Sequence, residues 1–152
     1  MNTHKIITTK LIYVSLFMLS CLVSCSDKKA EVNNTSEEEI ATTEYLKGKK
    51  IYESRCANCH KNDGKGMGAL FPPIAGSDYL ASNVDNIICS IKYGSNKEIV
   101  VNGKNYKMPM PPQADLNDVE ISDVMNYILN SWGNKLGPIE LEEVKTALSN
   151  CK

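Results

Sequence analysis

Cys56-Ala57-Asn58-Cys59-His60 sets two cysteines three residues apart, with a histidine directly after the second. On a helix that spacing puts both thiols on one turn and leaves the imidazole beside them. A bare Cys-x-x-Cys also serves zinc sites and redox dithiols. Zinc would need two further ligands, and beyond the signal segment the chain has no second histidine and no second Cys pair. A thioredoxin-like dithiol would need alternating strand and helix patterns, and these are missing. What remains is the attachment signature of c-type haem. Cys56 and Cys59 add to the two vinyl groups, and His60 becomes the proximal iron ligand.

The compartment agrees with that chemistry. Residues 1–24 read as an export signal, with Lys5 and Lys10 ahead of an apolar run from Leu11 to Val23. The run is too short, and too soon followed by polar residues, to cross a bilayer as a helix. It ends in Leu22-Val23-Ser24-Cys25, which resembles the bacterial lipobox and predicts acylation of Cys25. Cys21 is a poorer match, and an ordinary signal peptide is the alternative. Two or more acyl chains anchor a protein stably. The expectation is an exported bacterial lipoprotein that is membrane-anchored and faces the periplasm. Ser26 supplies no obvious inner-membrane retention signal, which points to the outer membrane rather than the inner.

Behind Cys25 the stretch 25–43 is rich in Ser, Asn, Glu, Lys and Thr and nearly free of large apolar residues. It cannot bury enough surface to fold alone and reads as a flexible linker. Charge is close to balance, with 17 basic and 18 acidic residues in all. No basic run suggests nucleic acid. Lysines outnumber acids between 40 and 110, a bias that could steer an acidic redox partner, although scattered solvated lysines explain it as well.

The folded part, 44–134, reads as helices joined by Gly/Pro-rich loops, an all-α domain. A helix from Glu44 to about Ala57 carries Tyr45, Leu46, Ile51 and Tyr52 on one face and delivers the cysteines. The loop from Lys61 to Ser77 holds too many glycines and prolines for regular structure. Asn83 is placed to cap a helix from Val84 to about Lys92 that Gly94 stops. Asn102-Gly103, between Ile99-Val100-Val101 and Tyr106, suggests a short extended pair. Asn117 with Glu120 forms a capping box for a helix whose stripe is Ile121, Val124, Met125, Ile128 and Leu129, ending by Gly133. A tail helix, Glu140 to Ser149, forms a C-terminal extension (135–152) packed on the domain.

His60 is the only histidine after the signal, so a second axial histidine from the same chain is excluded. Met67 lies too near His60 to reach the other haem face easily, and Met125 falls on the buried stripe. Met108-Pro109-Met110-Pro111-Pro112 remains. Its prolines stiffen a non-helical loop that can hold a thioether at a set distance. Met110 is favoured as the sixth ligand, with Met108 the alternative.

These pieces together resemble a class I monohaem cytochrome c, in the small bacterial form, over about Glu44 to Asn134. Gly48-Lys49-Lys50-Ile51-Tyr52 resembles the family's N-terminal helix. Asp123-Val124-Met125-Asn126-Tyr127 resembles the helix that crosses it, with Val124 and Tyr127 at the contact. Pro72-Pro73-Ile74-Ala75-Gly76-Ser77 resembles the segment whose proline carbonyl, here Pro72, accepts the proximal histidine's Nδ1–H. Tyr106-x-x-x-Met110-Pro111 and the helix ending Ser131-Trp132-Gly133-Asn134 look like small bacterial members that feed oxidases or dehydrogenases. Trp132, Tyr127, Tyr93, Asn105 and Tyr106 could touch a haem propionate, but packing is the simpler role.

Two cysteines are left over. In an exported protein unpaired thiols are uncommon, so Cys89 and Cys151 are expected to form a disulfide. With both axial positions filled, no site stays open for oxygen or substrate. The expectation is a non-enzymatic electron carrier with one haem c, tethered to a membrane through its N-terminal lipid. It would work between redox protein partners (an oxidase, reductase or dehydrogenase) and needs no small-molecule substrate. The alternatives are a haem-based ligand sensor or minor peroxidase with a labile methionine, and a thiol oxidoreductase using Cys56 and Cys59.

Overall fold

The computed structural model describes residues 32–151, with side chains described from residue 42 onward. The expected export signal 1–24, the expected acylation site Cys25 and residues 26–31 lie outside the described residues. The chain divides into two units, Met1–Ser36 and Glu37–Lys152. The account below concerns the second.

Helix α1 spans Val32–Arg55. It begins earlier than the expected Glu44, so residues 32–43, read as irregular linker, are helical instead. Glu37-Glu38-Glu39 and Ala41 are good helix formers. Once the packed end supplies a nucleus, extending it costs little, whether or not the extension buries anything. Residues 42–44 are exposed, and Tyr45 is the first to pack against the core. The helix breaks at Cys56, and a single turn, α2 (Ala57–His60), follows before Lys61 turns the chain at φ 64°.

Past the loop come α3 (Asp78–Ser82) and α4 (Val84–Tyr93). Asn83 stands at the N-terminus of α4 without capping it. Its amide Nδ2 instead donates back to the Tyr79 carbonyl of α3, at 3.1 Å. Gly94 does stop α4, its N–H donating to Ser90 O at 2.9 Å. Strands β1 (Ile99–Val101) and β2 (Lys104–Tyr106) pair antiparallel around Asn102-Gly103, with Ile99 opposite Tyr106 and Val101 opposite Lys104. Both turn residues have positive φ, 48° and 75°, the geometry that matches the twist of a two-residue hairpin.

Helix α5 (Asp118–Leu129) opens on the predicted capping box. Asn117 Oδ1 accepts from Glu120 N at 3.0 Å, and Glu120 Oε2 accepts from Asn117 N at 2.9 Å. It ends at Leu129, four residues before Gly133, because its last carbonyls already have partners. Asn130 Nδ2 donates to Asn126 O, Ser131 Oγ to Tyr127 O, Asn134 Nδ2 to Ile128 O and Leu136 N to Leu129 O. Those four carbonyls are the ones a helix C-terminus leaves orphaned.

α1 meets α5 at Gly48. A Cβ there would collide with the Asp123 carbonyl and stand 2.9 Å from Tyr127 Cβ, so only glycine permits the approach. Asp123 and Tyr127 make this crossing, and Val124, expected there, turns to the cavity described below. Around the crossing Tyr52 packs on Tyr127 and Trp132, at ring separations of 5.4 and 4.8 Å, and Tyr45 on Tyr127 at 5.0 Å. The core continues through Ile88, Ile91, Ile121, Met125 and Ile128.

Helix α6 (Leu141–Ser149) lies on α4 and α5, burying Val144 and Ala147, and Cys89 of α4 is disulfide-bonded to Cys151. Among the described residues no helix is long and apolar enough to cross a membrane. The disulfide closes a loop with a sequence separation of 62. By chain entropy that favours the folded state by about 4 kcal/mol. Reductant, or Cys89→Ser, should therefore lower the denaturant midpoint substantially, and two alkylatable thiols in the unreduced native protein would remove this bond from the account.

Candidate haem site

The residues singled out by the sequence converge on one cavity. It encloses about 1100 Å³ of empty space, its open mouth included, and its walls take in Cys56, Cys59, His60 and Pro72 together with Met108 and Met110. Most of the remaining lining is apolar, including Leu80, Ile91, Val101, Val124 and Ile128. A space of this size and polarity suits a large flat prosthetic group. Among the described residues the wall contains no carboxylate, and its only lysine is Lys97.

The end of α1 and the turn α2 carry the attachment groups. Cys56 N–H donates to Tyr52 O and His60 N–H to Cys56 O, both at 2.9 Å, so helical hydrogen bonds run on either side of the break at Cys56. Cys56 and Cys59 are free thiols here. Burial, and after it the neighbouring Cys59, push the Cys56 thiol up to about 11. Redox dithiols need the opposite, a lowered pKa that exposes thiolate, and burial works against it at Cys56.

His60 Nδ1 lies 3.0 Å from Pro72 O. A carbonyl can only accept, so Nδ1 carries the hydrogen and Nε2 keeps its lone pair. Burial holds the His60 pKa below the ordinary value, with the Pro72 bond opposing it, and the neutral, ligating form predominates at pH 7. Pro72 is itself fixed from behind. Ile74 N and Ala75 N donate to Gly64 O at 2.7 and 2.9 Å. Asn134 accepts from Gly76 N at 2.8 Å and donates to Ile74 O at 3.2 Å. Second bonds of this kind orient a ligating imidazole and raise its basicity.

The methionines separate clearly. Met110 is half-buried against the core and exchanges two backbone bonds with Ser95, at 2.8 and 2.9 Å. Met108 lines the cavity but is 47% exposed. Met125 is fully buried in the core, and Met67 pairs with Phe71 and does not line the cavity. Trp132 and Tyr127 do not line the cavity either. Trp132 donates through Nε1 to Asn62 O at 2.9 Å. Tyr93 and Asn105 are exposed, whereas Tyr106 is buried, lines the cavity and donates to Gly68 O at 3.4 Å.

Tyr52 also lines the cavity and donates to Lys61 O at 2.7 Å, a tie the sequence did not show. Ser95 and Lys92 carry no periodic or motif signal, and Asn134 shows in the sequence only as the last residue of Ser131-Trp132-Gly133-Asn134, because each acts on backbone that only the fold brings near. Two thiols, a neutral imidazole with a free lone pair, thioethers and a mostly apolar wall without carboxylates among the described residues are a donor set that fits covalent haem.

Comparison with known proteins agrees. The cytochrome c family model matches residues 45–132. Cytochrome c-552 of Thermus thermophilus is 37% identical over 107 residues, which cover 64% of this chain and 81% of that protein. The cytochrome c subunit of the quinone alcohol dehydrogenase of Komagataeibacter europaeus is 35% identical over 98 residues, 61% of this chain but 20% of the subunit. The fructose dehydrogenase cytochrome subunit of Gluconobacter japonicus is 28% identical over 120 residues, 74% of this chain and 24% of the subunit. Protein matured in a host with c-type haem assembly should hold haem through acid–acetone extraction, with Cys56 and Cys59 inert to iodoacetamide after unfolding. Haem that extracts, or two reactive thiols at those positions, would refute covalent attachment.

Proposed function

The chain belongs to the cytochrome c family, and on that premise we propose that it is a membrane-tethered one-electron carrier whose haem iron is held by His60 and Met110. Haem c, covalently bound through Cys56 and Cys59, supplies a reversible Fe(III)/Fe(II) couple when present. The remaining work falls to the chain. His60 offers Nε2 while Pro72 holds Nδ1–H, and Met110 offers a soft thioether from a strap fixed at Ser95. The apolar wall excludes water, which with a histidine and methionine pair favours a raised potential. The observation that carries the reading is the gathering of His60 and the Met108–Met110 strap on one cavity with the attachment cysteines.

A carrier with both axial positions filled has nowhere to bind a substrate, so its business is with other redox proteins. The named relatives include cytochrome subunits of dehydrogenases. The partner proposed here is accordingly a dehydrogenase, with an oxidase or reductase on the other side of the transfer. The tether is the lipid on Cys25, with 25–43 between it and the haem domain 44–134, on the periplasmic side of an outer or inner membrane.

Visible spectra of the native protein, Met108→Ala and Met110→Ala test the ligation. A low-spin spectrum whose far-red Met–Fe(III) band is lost only in Met110→Ala is the expected result. A high-spin native spectrum, or tight CO binding by the reduced native protein, would favour ligand sensing or peroxidase chemistry instead. Cys25→Ala should release the protein from the membrane fraction, and unchanged membrane association would refute the lipid tether.

A further inference from the structure

The strap bearing Met108 and Met110 has no regular structure of its own, and its position comes from the end of α4. Met110 is paired with Ser95, and Gln113 N–H donates to Ile91 O at 2.8 Å. Gly94, at φ 77°, lies against the strap, where a Cβ would stand 2.8 Å from Met110 O and 3.0 Å from Pro112 N. Lys92, half-buried on the last turn of α4, reaches past these contacts. Its Nζ donates to Ala114 O at 3.0 Å and to Leu116 O at 2.7 Å, the two carbonyls that flank Asp115 just beyond the strap.

Arg55 also reaches this segment, binding Asp115 at 2.6 and 3.3 Å. That pair is exposed on both sides, 43% and 61%, so water and salt weaken it. The Lys92 bonds differ in kind. They join an ammonium to backbone carbonyls, are charge-assisted, and fix the course of the chain rather than one side chain. Between Met110 and these carbonyls lie Pro111 and Pro112, whose locked φ lets the segment move only as a stiff piece. A strap held at Ser95, at Ile91 through Gln113 and again at Lys92 cannot swing Met110 away without loosening this set of holds, of which Lys92 secures the far end.

We propose that Lys92 is the positioning residue of the distal ligand: its ammonium pins the far end of the Met110 strap to α4 and so keeps the sixth iron position closed to external ligands. This rests on Met110 as the ligand. Lys92 does not line the cavity, and it acts through the strap.

The test uses the full haem-loaded chain, with imidazole titrated into the ferric protein. Lys92→Met, which removes both bonds, should bind imidazole at least about tenfold more tightly, the effect expected from losing charge-assisted bonds in the closed state. The far-red band should persist at neutral pH, and the Met110 and Gln113 amides should exchange faster. Lys92→Arg, which keeps charge and donors, should restore the native affinity. An unchanged imidazole affinity in Lys92→Met, even with a lowered melting point, would overturn the proposal, since lost stability alone does not open the strap. Should Lys92→Met fail to fold, Lys92→Gln provides the same comparison. Survival of the far-red band in Met110→Ala would overturn the ligand assignment, and the proposal with it.

Discussion

Everything in this domain depends on how closely α1 and α5 approach at Gly48. The missing side chain lets the Asp123 carbonyl and Tyr127 Cβ sit against α1. From that contact the geometry propagates in both directions. One turn along α1, Tyr52 meets Tyr127 and Trp132 and ties the start of the histidine loop through Lys61 O. A turn further, the end of α1 and the turn α2 hand over Cys56, Cys59 and His60. On α5, the residues beside the crossing, Val124 and Ile128, become the cavity wall. A bulkier residue at 48 would displace the attachment groups from the wall they face, and overpacking of that kind typically costs about 1–3 kcal/mol.

The cavity is built from two loops that lack regular structure, and each is held by a different helix end. The histidine side hangs on the C-terminus of α5, where Asn134 bridges Ile128 O, Ile74 O and Gly76 N. The methionine side hangs on the C-terminus of α4 through Gly94, Ser95 and Lys92. Helix termini carry carbonyls and amides with no partner in the helix. Here those termini are the fixed points from which irregular chain is suspended, which is why loops so rich in glycine and proline can still present ligands at a set place.

Much of this was legible in the residues because the signals were local. Cys56-x-x-Cys59-His60, the Asn117–Glu120 box and the Asn102-Gly103 turn each act within a few positions, and backbone geometry there follows from residue type. Where the reading fell short, a non-local partner had taken over. Asn83 has the right identity for a cap, yet its side chain turns to Tyr79 O once α3 is in place. The end of α5 was placed too late because Asn130, Ser131 and Asn134 look like ordinary loop residues until their side chains claim the helix carbonyls. Residues 32–43 were read as irregular from composition, which reports what a segment can bury but not whether a neighbouring helix extends through it. Lys92 was one lysine among many, and nothing in sequence marks the two carbonyls it finds.

The Cys89–Cys151 bond has a consequence for durability beyond its effect on stability. It makes the chain between those residues a covalent ring, and the hairpin, the strap and α5 all lie inside it. A protease that nicks an exposed point of that ring, such as Lys104, Lys107 or Lys135, therefore releases nothing. Both halves stay joined, Met110 remains attached to the part of the chain that carries Cys56 and Cys59, and the cut ends can settle back onto a site that has kept all its parts.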